Sequence, residues 1–119
     1  MSTYDQIDFT PLLTLSDDEV VTHSLVRDVR LPSGRTLALI TLDNGRDHNR
    51  PNTLGPRTLV ELNERLDELK DRAASGQIDA VAVTGKQYIL AAGADLSDIT
   101  LVGSRENARK VAQLGHHVL

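Results

Sequence analysis

The stretch Thr36-Leu-Ala-Leu-Ile-Thr-Leu42 decides the fold class of this chain. It is nearly all apolar, which is typical of a β-strand that is covered on both faces. A second short stretch, Ile78-Asp-Ala-Val-Ala-Val-Thr84, is apolar and β-branched and favours another buried strand. Because a helical segment separates the two stretches, they predict a right-handed β-α-β unit with parallel pairing.

The sequence marks both ends of the helix between these strands. Gly55-Pro56 predicts its start, because proline is well tolerated at the first helical position, and Ser75-Gly76 predicts its end. Apolar residues recur between them at helical spacing, at Leu59, Leu62, Leu66 and Leu69. This stripe predicts an amphipathic helix with its leucines against the sheet.

The flanking segments predict the remaining elements. Residues 20–31 read as a strand, and the turn signal Pro32-Ser33-Gly34 joins it to the first buried strand as a β-hairpin. A last helix is expected from Ser104. Its predicted apolar face comprises Ala108, Val111, Ala112, Gly115, Val118 and Leu119. Since this face runs to the final residue, we expect it to lack a packing partner.

Composition excludes several classes of function. The chain has 119 residues, enough for one core, with 13 Lys+Arg against 17 Asp+Glu and three aromatic residues. It therefore offers no cationic, stacking surface for nucleic acid. The absence of cysteine excludes disulfides and thiol chemistry. No apolar run approaches the roughly 20 residues of a membrane span, and no secretory signal is present, so we expect a cytoplasmic location.

Charge divides the chain into two parts. Residues 1–19 carry five acidic side chains and no basic one, which indicates a solvated acidic leader. Residues 20–119 hold all the predicted elements and are expected to form one incomplete domain. The adjacent pair His116-His117 points about 100° apart on a helix and cannot chelate one ion, so no metal site is expected.

The segment Ala91-Ala-Gly-Ala-Asp-Leu96 is the strongest candidate for a ligand site. Small residues let the backbone approach a ligand closely, and Asp95 can cap a short helix that starts there. The free N–H groups of such a helix start can polarise a carbonyl or hold an oxyanion. The alternative is a tight strand-to-helix turn in which the small residues only pack.

Four motifs in order resemble the N-terminal half of the crotonase superfamily, the enoyl-CoA hydratases and isomerases. They are Ile40-Thr41-Leu42, Asn52-Thr53-Leu54, Val81-Ala82-Val83-Thr84-Gly85 and Ala92-Gly93-Ala94-Asp95-Leu96. The resemblance covers residues 36–96 and implies an α/β fold class: the N-terminal part of a crotonase ββα spiral. Its elements would be a β-hairpin, a β-α-β unit and a C-terminal helix.

The resemblance also implies roles for individual residues. Ala94 would donate one of two backbone N–H groups that bind the thioester oxygen, and its N–H should face a cleft shared with the Asp43–Leu54 loop. Arg50 could replace the basic residue that the family carries where this chain has Ser97. The implied coenzyme A contacts are Arg50, Asn52, Thr53, Leu54, Ala92, Gly93 and Asp95. No metal or cofactor is implied, since the coenzyme A thioester is the substrate.

The implied parent reaction is hydration of 2-enoyl-CoA in fatty-acid β-oxidation, by a homo-oligomer that is often a trimer. The long Asp43–Arg50 loop is similar to that of multifunctional proteins with a 3-hydroxyacyl-CoA dehydrogenase domain. The second oxyanion donor and two catalytic glutamates of the family would lie beyond Leu119, so we expect the chain alone to be inactive. One alternative is a non-catalytic crotonase-like module that binds acyl-CoA or a protein. Another is an independent α/β binding domain.

Overall fold

The computed structural model describes residues 19–47, 49–93 and 105–119. Within these ranges the chain forms one three-stranded sheet and two helices. In chain order the elements are β1 (His23–Arg30), β2 (Thr36–Asp43), α1 (Pro56–Ala74), β3 (Ala80–Gly85) and α2 (Arg105–Val118). The chain is therefore a small α/β protein. No helix in the described part is both long and apolar enough to cross a bilayer.

The strand order β1-β2-β3 confirms the predicted hairpin and β-α-β unit. β1 pairs antiparallel with β2, with Val26 opposite Ile40. β2 pairs in parallel with β3, with Ile40 opposite Val83. The hairpin turn closes through a 2.8 Å hydrogen bond from the Leu31 N–H to the Arg35 carbonyl. The crossover between β2 and β3 contains α1, as the apolar stretches predict.

The start of α1 is fixed by a proline at the first helical position and by a carboxylate from a residue distant in the sequence. Pro56 occupies the first helical position, and the preceding Gly55 provides no side-chain cap. A residue distant in sequence supplies the missing acceptor, because the Glu19 carboxylate accepts the Arg57 N–H at 3.1 Å. An acidic group is favourable at a helix N-terminus. Glu19, the last residue of the expected acidic leader, is buried here, and residues 1–18 lie outside the described ranges.

One apolar core joins the central strand to both helices. Every second residue of β2 faces α1, and these side chains are buried. The buried apolar residues are Ala38, Ile40, Leu42, Leu59, Leu62, Leu69, Ile78, Leu114 and Val118. Three of the four leucines of the predicted stripe are fully buried, and Leu66 packs against the cluster. The helical periodicity therefore identified the core face of α1 correctly.

β3 is less buried than its apolar sequence predicts. Val81 and Val83 share a sheet face with the buried Ala38 and Ile40, to which they are paired. They nevertheless remain 44% and 46% exposed. The reason is the position of α1, which packs against β1 and shares the apolar core with β2, whereas no described helix packs against β3 to a similar extent. An apolar run alone does not reveal where in the sheet a strand will lie.

The C-terminal helix also differs from expectation, because it has a packing partner. α2 packs against α1 and buries Leu114 and Val118. Leu114 was absent from the predicted face, yet it is 1% exposed. Ala112 and Leu119 belong to the predicted face and are exposed. The helix is therefore rotated toward its Leu114 side, a choice that depends on the tertiary position of α1.

Candidate functional site

Two segments meet beyond the carboxyl ends of the parallel strands β2 and β3. Leu42 is paired with Gly85, so both strands end at the same edge of the sheet. Ligands of open α/β sheets bind beyond such carboxyl ends. The first segment is the β2–α1 loop, residues 44–54, in which His48 lies outside the described residues. The second is the β3 extension, residues 86–93.

The β2–α1 loop is shaped by its own polar side chains. Asp and Asn side chains accept backbone N–H groups two residues further on, which forms successive Asx turns. The pairs, at 2.8 to 2.9 Å, are Asp43 with Gly45, Asn44 with Arg46, and Asp47 with Asn49. The sequence predicts a loop here, and the structure shows that this loop has a defined conformation.

Asn52 connects the loop to both strand ends from a fully buried position. Its Nδ2 donates to the Leu42 carbonyl at 2.7 Å and to the Leu90 carbonyl at 2.9 Å. Its Oδ1 accepts the Asn44 N–H at 3.0 Å. Both ends of the amide are therefore used within the protein. Asn52 can serve a ligand by holding the surrounding backbone in place.

The β2–α1 loop and the β3 extension are joined directly through their backbones. The Ala92 N–H donates to the Asn52 carbonyl at 2.7 Å, and the Leu54 N–H donates to the Gly93 carbonyl at 2.8 Å. Gly93 has φ 86°, a left-handed conformation that glycine adopts without strain. We call the segments Asn52–Leu54 and Ala92–Gly93 the junction.

The fold-back after β3 explains the glycine at the end of that strand. A Cβ on Gly85 would overlap the backbone of Ile89 and Leu90. The turn closes with a 3.1 Å hydrogen bond from the Ile89 N–H to the Lys86 carbonyl. Tyr88 lies in this turn at φ 75°, which is rare for an aromatic residue. Only glycine at position 85 lets the chain turn back toward the junction.

The side chain of Lys86 also binds the β2–α1 loop. Its Nζ donates to Asn44 Oδ1 at 2.6 Å, to the Arg46 carbonyl at 2.9 Å and to the Arg50 carbonyl at 2.6 Å. An ammonium group has three donors, and here each has an acceptor in the loop. Sequence analysis missed this residue because a single lysine after a strand is typical of a solvated surface.

Two arginines of the loop have free side chains. Within the described residues, no hydrogen bond or ion pair involves the guanidinium groups of Arg46 and Arg50. Arg46 lines a cleft of about 230 Å³ together with Asp43, Asp47, Lys86 and Gln87. Positive charge at this edge of the sheet is therefore available to an anionic ligand.

The structure brings together most of the site residues implied by the sequence. Arg50, Ala92 and Gly93 are exposed, whereas Thr53 and Leu54 are half-buried. The Thr53 carbonyl accepts the Thr22 hydroxyl at 2.9 Å, which ties the junction to the start of β1. Ala94 and Asp95 lie outside the described residues. Their implied roles, like those of the exposed residues, stay predictions.

A second groove, of about 480 Å³, lies between β1 and α1, but its charges are paired within the protein. Arg65 donates to Glu68 at 2.8 Å and Arg72 to Asp28 at 2.6 Å. The hydrogen bond with Arg72 lowers the pKa of Asp28 and raises that of Arg72. These pKa shifts reflect a structural ion pair. Across the described residues, no cluster of three metal-ligating side chains is found.

Comparisons with known proteins give one structural likeness. No protein-family model matches the chain, and no curated protein sequence matches it. Among solved structures, the chain is similar to DspI of Pseudomonas aeruginosa, with 25% sequence identity and a TM-score of 0.57. The match covers 87% of this chain and 38% of the DspI chain. This chain therefore spans well under half the length of the structure it resembles.

These findings correct the family assignment made from the four motifs. They link the chain to DspI and give no family support for a crotonase, so the assignment to that superfamily is contradicted. The α/β class stands, and the crotonase spiral is not confirmed. The motifs also have local explanations: Ile40 fills the core, Asn52 bonds both strand ends, and Gly85 permits the fold-back. Short motifs that serve such structural roles can occur in proteins that share no common ancestor.

Proposed function

We propose that the junction binds the coenzyme A part of an acyl-CoA thioester, in a protein that hydrates 2-enoyl-CoA substrates. The observation that carries the proposal is the pair of backbone hydrogen bonds that joins Asn52–Leu54 to Ala92–Gly93. This contact places two small, exposed residues beside a loop that carries Arg46 and Arg50, at the carboxyl ends of parallel strands. A long ligand with an anionic end and a reactive end fits such an edge.

The charge of the loop supports binding of the phosphate groups. Among the described residues, the guanidinium groups of Arg46 and Arg50 have no partner, and such groups bind phosphate through paired hydrogen bonds. Lys86 holds the backbone carbonyls of both arginines. Apolar groups are also at hand for the adenine ring, because Leu54 is half-buried and Leu90 is 53% exposed.

The small residues support placement of the thioester end. Neither Ala92 nor Gly93 carries a side chain that would block an extended pantetheine chain, and no atom of the described residues lies within 4 Å of the space that a Cβ on Gly93 would occupy. In the proposal, the Ala94 N–H polarises the thioester oxygen as negative charge develops there. Coenzyme A is part of the substrate and no further cofactor is invoked. A cytoplasmic location belongs to the same proposal.

Isothermal titration with coenzyme A tests the binding site. We expect weak binding that decreases with salt and is reduced by Arg50→Ala, because an ion pair with phosphate is lost. Arg35→Ala is the matched control, since Arg35 is an exposed arginine at the distant hairpin turn. Equal affinity in the wild type and Arg50→Ala would exclude the role of Arg50, and no binding to the wild type would refute the site.

The substrate class needs a separate measurement. Crotonyl-CoA should bind more tightly than coenzyme A if the acyl end contacts the junction. Loss of the conjugated thioester absorbance then reports hydration. Because the chain alone is expected to be inactive, we expect binding without hydration, and hydration by the chain would show that the catalytic groups lie within residues 1–119.

A further inference from the structure

The outer edge of β3 is an apolar strand edge with little protection. Within the described residues, β3 pairs with a single strand, β2. Its sequence, Ala-Val-Ala-Val-Thr-Gly, contains no charged residue. Natural proteins protect strand edges with charges, proline or bulges, because unpaired N–H and C=O groups recruit further strands. β3 carries none of these protective features.

β1 forms the opposite edge of the sheet and provides an internal comparison. It carries Arg27, Asp28 and Arg30 in eight residues, and Asp28 is bonded to Arg72 of α1. These charges disfavour addition of another strand. The two edges of one small sheet thus differ sharply in charge, and β3 is the edge suited to pairing.

Exposed valines accompany the open edge. Val81 and Val83 lie on the same sheet face as the buried Ala38 and Ile40, yet nearly half of each residue is exposed. A strand added to β3 would place a new side chain beside each valine on the same face. Addition of one strand would therefore give hydrogen-bond partners to the unpaired backbone N–H and C=O groups of β3 and would reduce the exposed area of the two valines.

We propose that the outer edge of β3, which pairs with no further strand among the described residues, is an interface between two copies of this chain, paired antiparallel about Ala82. In this register Val81 of each copy lies opposite Val83 of the other, which forms two apolar cross-strand pairs. The contact is isologous and closes as a two-fold dimer. The strand is short and its apolar alternation is symmetric about Ala82, so it is complementary to itself.

Charge at the ends of β3 supports the same arrangement. Asp79 precedes the strand and Lys86 follows it. Both side chains bond within the chain, Asp79 to the Thr36 N–H and Lys86 to the β2–α1 loop, so they contribute net charge and no hydrogen bond across the interface. Antiparallel pairing brings the acidic end of one copy near the basic end of the other. Parallel pairing would place equal charges side by side, which is destabilising. The charge pattern therefore favours a second copy in the antiparallel orientation.

The short length of β3 limits the expected affinity of the dimer. Six residues extend about 20 Å, so the buried area falls below the roughly 1,600 Å² of a standard stable interface. We expect a weak, reversible dimer. Sedimentation equilibrium from micromolar to millimolar concentration should show the mass rising from 13.0 kDa toward twice that value. A constant monomer mass over this range would overturn the proposal.

Val83→Lys should weaken this association about tenfold or more, because it places a charge at the paired edge. Leu119→Lys is the matched control, since Leu119 is 77% exposed and directly follows α2, outside β3. Circular dichroism and thermal melting confirm that each variant is folded. Association that survives Val83→Lys, or that is lost only in Leu119→Lys, would contradict the β3 interface.

A cysteine cross-link tests the register directly, because the chain has no cysteine of its own. Under mild oxidation, Ala82→Cys should form a disulfide-linked dimer about tenfold faster than Arg27→Cys. Ala82 and Arg27 occupy the same row of the sheet, since both are paired with Leu39, but at opposite edges. Equal rates for the two variants would show random collision and refute the pairing.

Discussion

At the scale of single residues, Lys86 and Asn52 together hold the candidate site in shape. Lys86 contributes three donors to the β2–α1 loop, and Asn52 uses its whole amide between the two strand ends. Neither residue is free to bind a ligand with those same atoms. Their contribution to function is the fixed position of the junction.

Replacing Lys86 tests whether this residue holds the β2–α1 loop in place. We expect Lys86→Met to lower the free energy of unfolding by about 1–3 kcal/mol, since hydrogen bonds to a charged group are lost. Amide hydrogen exchange should also increase in the β2–α1 loop. Lys70→Met, at an exposed position of α1, is the control and should have little effect. Unchanged loop exchange in Lys86→Met would show that the lysine does not order the loop.

Replacing Asn52 should be more damaging because Asn52 itself is fully buried. Asn52→Ala leaves the Leu42 and Leu90 carbonyls and the Asn44 N–H without these bonds. Each unsatisfied buried group costs about 1–3 kcal/mol. Urea denaturation measures the loss, with Asn49→Ala in the exposed part of the same loop as the control. Equal stability of the two variants would refute the role assigned to Asn52.

At the scale of elements, the packing of α2 on α1 can be tested at two leucines. Leu114→Ala should destabilise the protein by about 2–5 kcal/mol, because it removes a fully buried side chain from the core. Leu119→Ala removes an exposed leucine just after the same helix and should change stability by about 0.5 kcal/mol or less. Chemical denaturation gives both values. A small effect of Leu114→Ala would mean that α2 does not pack as described.

The ion pair between β1 and α1 predicts a pH dependence. Arg72 lowers the pKa of Asp28 below its ordinary value of 3.8 in the folded state. The pair therefore stabilises the fold above pH 3.8, and its contribution disappears as pH falls through the lower, folded-state pKa. The stability difference between wild type and Asp28→Asn should shrink over this acid range in denaturation experiments. A difference that stays constant with pH would contradict the linkage.

The sequence patterns predicted where the helices and strands lie in the chain better than they predicted which side chains are buried. The stripe of leucines and the Gly55-Pro56 signal located α1, and the apolar runs located β2 and β3. The exposure of Val83 and the burial of Leu114 were not predictable, since both depend on where α1 lies across the sheet. The bonds of Lys86 were equally inaccessible, because its acceptors are 36 to 42 residues away in the chain.

At the scale of the whole molecule, helices pack on a small sheet in two layers, and both proposed binding surfaces lie at the border of this sheet. The junction lies at the carboxyl ends of β2 and β3, and the apolar edge lies along β3. Both follow from the parallel β-α-β unit, in which β3 is the outer strand and the chain turns back at Gly85. The likeness to part of DspI agrees with this common α/β arrangement.

An NMR titration of the isotope-labelled chain with coenzyme A tests directly whether the junction binds this ligand. We expect amide shifts to change in the β2–α1 loop and the β3 extension, with the largest changes at Arg50, Leu54, Ala92 and Gly93. Amides of β1 that line the groove against α1 should stay unchanged. Shift changes confined to that groove, or no changes at all at millimolar coenzyme A, would refute binding at the junction.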